Sequence, residues 1–181
     1  MSTEELEWLA IQASARRAII ELGSWKGRST KALSMATPGV VIAIDHWMGS
    51  EGERSSYHEE AAKIGQEAML SIFRGNLRPE IESGKTIPVI GHNSEVAPYV
   101  GHLLDARGLQ ADMLFIDSDH SYARVKEDIN NYLPMVRLGG LVCGHDYNSL
   151  RQGVIDAVNY TFGKPDSIVG SIWSVTRRDG R

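Results

Sequence analysis

Five short apolar runs dominate the sequence, each closing on polar residues: AIIELGS (18–24), VVIAIDHW (40–47), TIPVIGHN (86–93), DMLFIDSD (112–119) and LVCGHDY (141–147). Such runs read as strands buried on both faces, the mark of a parallel sheet covered by helices. The stretches between them have helical spacing. Residues 2–17 open with a Ser2/Glu5 capping box and put Leu6, Leu9, Ile11 and Ala13 on an apolar side. GRSTKALSMAT (27–37) is a helix stopped by Pro38-Gly39, which completes a strand–helix–strand unit with its neighbours. Residues 48–85 are less regular. A polar loop carries Tyr57 and His58, and a helical stretch follows with Ile64, Met69, Ile72 and Phe73 on one face. EVAPYVGHLL reads as a short helix broken near Pro98. SYARVKEDINNYLPMV (121–136) repeats Tyr122, Val125, Ile129, Tyr132 or Leu133, and Val136 at helical intervals before RLGG ends it. LRQGVIDAVNYTF (150–162) turns Leu150, Val154, Ala157 and Val158 inward, and SIVGSIWSVTRR (167–178) supplies one or two closing strands about Gly170. These last strands follow so closely that only a hairpin or edge pairing can join them. The alternation predicts a single α/β domain with an open, mostly parallel sheet.

Composition narrows the partners. A net charge of −4 gives no basic footprint for nucleic acid. One cysteine, Cys143, excludes an internal disulfide and any cysteine zinc motif. The acidic start lacks the flank and core of a signal peptide, and no run is long enough to span a membrane. A soluble cytoplasmic protein is the expectation.

In open α/β sheets ligands sit outside the carboxyl ends of the strands. That rule selects Glu21–Gly27, Asp45–Trp47, Gly91–Glu95, Asp117–His120 and His145–Tyr147. ELGSWKGRST (21–30) superficially resembles a phosphate loop, but three residues separate Gly23 from Gly27 and Arg28 stands where the lysine belongs. The dinucleotide glycine fingerprint is also broken, by Trp25 and Arg28. Glu21 repels phosphate and suits an amine or other positive centre. Asp45, closing the second run, is placed to accept hydrogen bonds from two ribose hydroxyls. A nucleoside with a cationic tail fits both acids, and S-adenosylmethionine is such a molecule. Each residue also has a plainer role open to it: Glu21 as a helix-dipole partner, Asp45 as a turn residue.

ELGSWKGRST, AIDHW, FIDSDHSY, GHDY and SIWSVTRR together resemble the class I S-adenosylmethionine-dependent methyltransferases, and more narrowly the small bacterial methyltransferase family 24. The likeness runs from residue 21 to 178. It implies a Rossmann-like three-layer sandwich whose seven-stranded sheet has its last strand antiparallel. It implies that Glu21, Gly23 and Ser24 line the methionine moiety, with Ser29 and Thr30 nearby. Asp45 would hold the ribose beside His46 and Trp47, Ser94 would approach the adenine, and Asp117 would lie beneath the sulfonium. Metal-dependent relatives bind a divalent ion at the positions of Asp117 and the pair His145-Asp146, with Asp119 as a further candidate. The histidine favours manganese, iron or zinc over magnesium. His120 stands where catechol-type relatives carry a basic lysine, which makes it the candidate base. Asp119 and Asp146 have helix capping as their alternative role, and His120 a structural one.

The expected activity is methylation of a small molecule, through an oxygen nucleophile, with residues 48–85 as a lid or specificity segment and a homodimer as the expected assembly. Three other readings stand beside it: a nucleic-acid methyltransferase, disfavoured by charge and by the lack of an NPPY-like motif; a non-catalytic adenosylmethionine-binding protein; and an NAD-dependent oxidoreductase.

Overall fold

The computed structural model describes residues 1–49 and 56–179, and of 56–58 the backbone alone. Most of the polar loop expected after residue 48, and the side chains of Tyr57 and His58, therefore lie outside the described residues. The strands are β1 (Ala18–Leu22), β2 (Val40–Asp45), β3 (Thr86–Ile90), β4 (Ala111–Ile116), β5 (Val136–Gly144), β6 (Ser167–Val169) and β7 (Ile172–Thr176). The helices are α1 (Thr3–Ala13), α2 (Arg28–Ala36), α3 (Ser56–Ile64), α4 (Gln66–Asn76), α5 (Arg78–Glu82), α6 (Asn93–Ala106), α7 (Tyr122–Tyr132) and α8 (Gln152–Phe162). One seven-stranded sheet forms in the order β3-β2-β1-β4-β5-β7-β6. β1 to β5 are parallel, and β7 runs antiparallel to both β5 and β6. The strand order reverses direction between β1 and β4, which opens a crevice at their carboxyl ends.

Strand alternation sorts the core into two faces. Ile20, Leu22, Ile42, Ile44, Leu114, Ile116 and Val142 pack against α6, α7 and α8. Ile19, Val41, Met113, Phe115 and Cys143 pack against α1 and α2 through Leu9, Ala13 and Leu33. Glu21 follows Ile20, so it points to the α2 side. A third cluster joins Trp47 to Met69, Leu70, Phe73 and Leu77 of the α4 region. Trp47 and Phe73 are both fully buried, with ring centroids 5.0 Å apart.

Several boundaries differ from expectation for local reasons. Gly65, at φ 86°, separates α3 from α4 and resets the helical phase. Met69 and Phe73 are buried as a result, while Ile64 and Ile72 are 40% and 36% exposed. α6 continues through Pro98, which forfeits one i→i−4 hydrogen bond, to the Ser94 carbonyl, within a 14-residue helix. RLGG does not end a helix but enters β5, with an irregular register opposite Ala111–Met113. Leu150 precedes α8 and is 89% exposed. Ile11 is 67% exposed because α1 buries the Glu5–Leu9–Ala13 stripe, spaced by fours. Among the described residues no helix is long and apolar enough to cross a membrane.

Phe73→Ala is expected to lower the unfolding free energy by about 3–5 kcal/mol, the usual cost of emptying a fully buried aromatic site. Urea denaturation would measure it, and a loss under about 1 kcal/mol would show that the third cluster is not integral to the domain.

Candidate active site

A cavity of about 610 Å³ opens along the carboxyl edge of the sheet. That volume is ample for a nucleoside-sized ligand. Gly23, Ser24, Ser29, Asp45, His46, Ser94, Asp117, His120, His145 and Asp146 all line it. The expected residues Glu21, Thr30 and Trp47 do not line it.

The β1–α2 turn explains the tightness of one wall. Gly23 has φ +88°, and a Cβ there would sit 2.2 Å from the Asp117 carbonyl oxygen. The two strand-end loops touch through bare backbone, a contact only glycine permits. Beneath this turn Glu21 is fully buried. Its Oε2 accepts hydrogen bonds from Ser24 Oγ at 3.0 Å and from Thr30 Oγ1, while Oε1 has no partner among the described residues. Burial raises its pKa to about 7, against the lowering effect of Ser29, Thr30 and Ser24.

Asp45 fixes the other wall. Its Oδ2 accepts from the Trp25 amide at 2.8 Å and its Oδ1 from the Trp47 amide at 2.6 Å. The Trp47 indole Nε1 then donates to the Trp25 carbonyl at 2.7 Å. Trp25 and Trp47 hold φ of 46° and 52°, a left-handed backbone that bulky residues rarely adopt. His46 and His92 meet beside them with ring centroids 4.6 Å apart.

At the β4 and β5 ends three ionisable groups converge. Asp117, His120 and Asp146 each offer a ligand atom, all within 4.8 Å of one another. His120 Nε2 lies 2.8 Å from Asp146 Oδ2. Asp146 has φ 61°, a left-handed conformation. Burial opposes ionisation of Asp146, yet hydrogen bonds to His120 and His145 hold it far below the usual carboxylate range. Burial pushes the Asp117 pKa up, against the pull of His145.

The profile of a family described as "Methyltransferase domain" (family 24) matches residues 20–147. The chain belongs to this family. It is a class I S-adenosylmethionine-dependent methyltransferase. No curated protein matched it. Among solved structures, its fold is similar to that of CalS11, calicheamicin methyltransferase, at 15% identity and TM-score 0.71, covering 97% of this chain and 78% of that one. It is similar to the O-methyltransferase TomG from Streptomyces achromogenes in complex with SAM, at 17% identity and TM-score 0.67, covering 98% and 82%. An O-methyltransferase from Bacillus cereus in complex with SAH has 17% identity and TM-score 0.64, with the same coverage.

In this methyltransferase the ligand atoms of Asp117, Asp146 and His120 lie within 4.8 Å of one another. His145, placed in the metal set from the sequence, lines the same cavity, and each of its ring nitrogens has a partner. Nε2 lies 2.8 Å from Ser171 Oγ, and Nδ1 lies 3.5 Å from Asp117 Oδ1 and 3.3 Å from Asp146 Oδ2. Ser171 Oγ also bonds Glu5 Oε1 at 2.9 Å, and the Ser171 amide donates to the same oxygen at 2.8 Å. An ionised Glu5 can only accept, so the single Ser171 hydroxyl proton goes to it, and Oγ then accepts from His145 Nε2–H. Carboxylates at Nδ1 call for a second proton. Burial works against that charge, but the two aspartates outweigh it and raise the His145 pKa to about 10. His145 is thus held between two acids on one side and Ser171 on the other.

Neither Glu5 nor Ser171 stands out in the sequence as a site residue: α1 is not a strand end, and the turn holding Ser171 follows the short strand β6, whose carboxyl end the apolar runs do not announce. Asp128 on α7 escapes the same rule, although it carries a signal. It sits in the buried stripe Val125, Asp128, Ile129, Tyr132, where an acid is out of place.

Burial alone would raise the Glu5 pKa, but bonds from Ser171 and Ser2 and the charge of His145 bring it from 4.5 to about 2. A depressed acid stabilises the fold fully above its ordinary pKa, and that contribution fades as pH falls toward the folded value. Glu5→Gln should therefore melt at lower temperature than wild type near pH 7, with the deficit shrinking by about pH 3. An equal deficit at both pH values would show that the ionised form of Glu5 carries no special stability.

Proposed function

We propose that this methyltransferase transfers the methyl group of S-adenosylmethionine to an oxygen of a small-molecule acceptor. The observation that carries the reading is the convergence of Asp117, His120 and Asp146, with ligand atoms within 4.8 Å of one another, in a cavity that Asp45, His46 and Ser94 also line. The residues fit the cofactor. Gly23, Ser24 and Ser29 would border its methionine part over the buried Glu21 carboxylate, whose Oε1 lacks a partner among the described residues. Asp45 would take the ribose hydroxyls on the lone pairs its two amide bonds leave over, with His46 beside it, and Trp47 and Thr30 acting from behind. When bound, the cofactor supplies a methyl group already activated by a sulfonium. The protein's task is to align the acceptor and remove its proton.

His120 is the residue for that task. Asp146 orients its ring through Nε2 and stabilises the imidazolium that forms when it takes the hydroxyl proton. Asp117 and the His145 cation keep Asp146 in place and balance the charge. A second reading rests on the same three side chains. Asp117, His120 and Asp146 would hold a divalent ion, with a histidine ligand favouring manganese, iron or zinc over magnesium. Such an ion would lower the acceptor hydroxyl's pKa. His120 then serves as ligand instead of base. In this proposal residues 48–85 set acceptor choice: within them Met69, Leu70, Phe73 and Leu77 dock on Trp47, Gln66 Nε2 donates to the His46 carbonyl at 2.8 Å, and Gly49 lines the cavity.

Calorimetric titration should show micromolar binding of S-adenosylmethionine and S-adenosylhomocysteine, and Asp45→Ala should weaken it by about tenfold or more; no binding would remove the cofactor reading. His120→Ala should lower kcat by about 100-fold or more with S-adenosylhomocysteine affinity unchanged. Chelator treatment separates the two mechanisms: full activity in metal-free enzyme leaves His120 as base, and loss restored by manganese makes it a ligand.

A further inference from the structure

The cavity holds one buried acid that the proposed chemistry leaves unused. Asp128 is 4% exposed and lines the cavity together with Asn93, Ser94 and Ser118. Its Oδ2 accepts from Asn93 Nδ2 at 3.0 Å and from Ser118 Oγ at 2.6 Å. Both hydrogen bonds to its carboxylate among the described residues thus reach one oxygen. A buried carboxylate with only two neutral donors is incompletely satisfied. The carboxylate is also held from turning. Tyr132, one turn farther along α7, donates to the Asn93 carbonyl at 2.7 Å. α7 therefore grips Asn93 by side chain and backbone, and Asn93 is the first residue of α6. Oδ2 is pinned, and Oδ1 is left for a donor from the cavity.

We propose that Asp128 reads the base of the cofactor, with Oδ1 accepting a hydrogen bond from the exocyclic amine of adenine. The inference rests on S-adenosylmethionine occupying this cavity with its ribose at Asp45. The base then lies on the β2–β3 side, where His46, His92, Asn93 and Ser94 line the wall. An acceptor there suits a 6-amino purine. It repels a 6-oxo purine, which presents a lone pair at the same place. The buried, pinned carboxylate cannot rotate away to escape that clash.

The test compares S-adenosylhomocysteine with its deaminated analogue, S-inosylhomocysteine, by calorimetry on the full chain. Wild type should prefer the adenine compound by about tenfold or more, the usual loss when a charged hydrogen bond is left unmade. Asp128→Asn keeps an oxygen for Asn93 and Ser118 and turns an NH2 donor toward the cavity. It should weaken S-adenosylhomocysteine about tenfold or more and bring the preference to unity or reverse it. Equal affinities in wild type overturn the proposal without any variant. So does an Asp128→Asn protein, folded by its thermal melt, that weakens both compounds equally and keeps the wild-type ratio. Wild type that binds neither compound instead overturns the cofactor reading on which the proposal stands.

Discussion

The site depends on one carboxylate held by two loops. Asp45 accepts the amides of Trp25 and Trp47, and the Trp47 indole closes the ring by donating to Trp25. Neither tryptophan would adopt its left-handed backbone alone. The charge-assisted bonds to Asp45 and the burial of Trp47 against Phe73 offset that strain. The group that organises both walls also lines the cavity, so folding itself preorganises the binding geometry.

The opposite end of the cavity is organised by charge. Asp117, Asp146 and Glu5 would repel one another in a half-buried setting. His145 sits among them, facing both aspartates through Nδ1, and the Ser171 hydroxyl relays Glu5 to its Nε2. The relay fixes α1 across the end of β5, which is why an N-terminal helix far from the sequence motifs belongs to the site. His120, three residues after Asp117, is a second histidine lining the cavity, and it meets Asp146.

Much of the fold was legible in the sequence because its strands are short apolar runs and its helices carry clean stripes. The motifs ELGSWKGRST, AIDHW, FIDSDHSY and GHDY lie where topology demands a ligand. What stayed illegible has physical causes. Gly65 resets the phase between two helices, so Ile64 and Met69 could not share a face. The RLGG segment enters β5 through an irregular register that no periodicity announces. The Ser171 and Glu5 partners of His145 were not readable, because they lie 26 and 140 residues away in the chain. Glu21 and Thr30 belong to the site's floor and not to its lining, a distinction set by strand alternation combined with the turn at Gly23.

The division of labour follows from how each part is anchored. Most residues assigned to the cofactor sit on β1, β2 and β4 or within a few residues of their ends, and those strands are central and paired on both sides; Ser29 and Thr30 open α2, and Ser94 follows the edge strand β3. Their positions are set by the sheet and tolerate little change. α3, α4 and α5 rest on a separate cluster around Trp47, joined to the rest through β2 and the β1–α2 turn. Contacts such as Lys26 to Glu60 at 2.7 Å are partly exposed and weakly stabilising. A segment held this way can change sequence without disturbing the strand ends. With acceptor choice assigned to this segment as proposed, that choice can vary while the strand ends stay fixed, and the two meet at Asp117, His120 and Asp146.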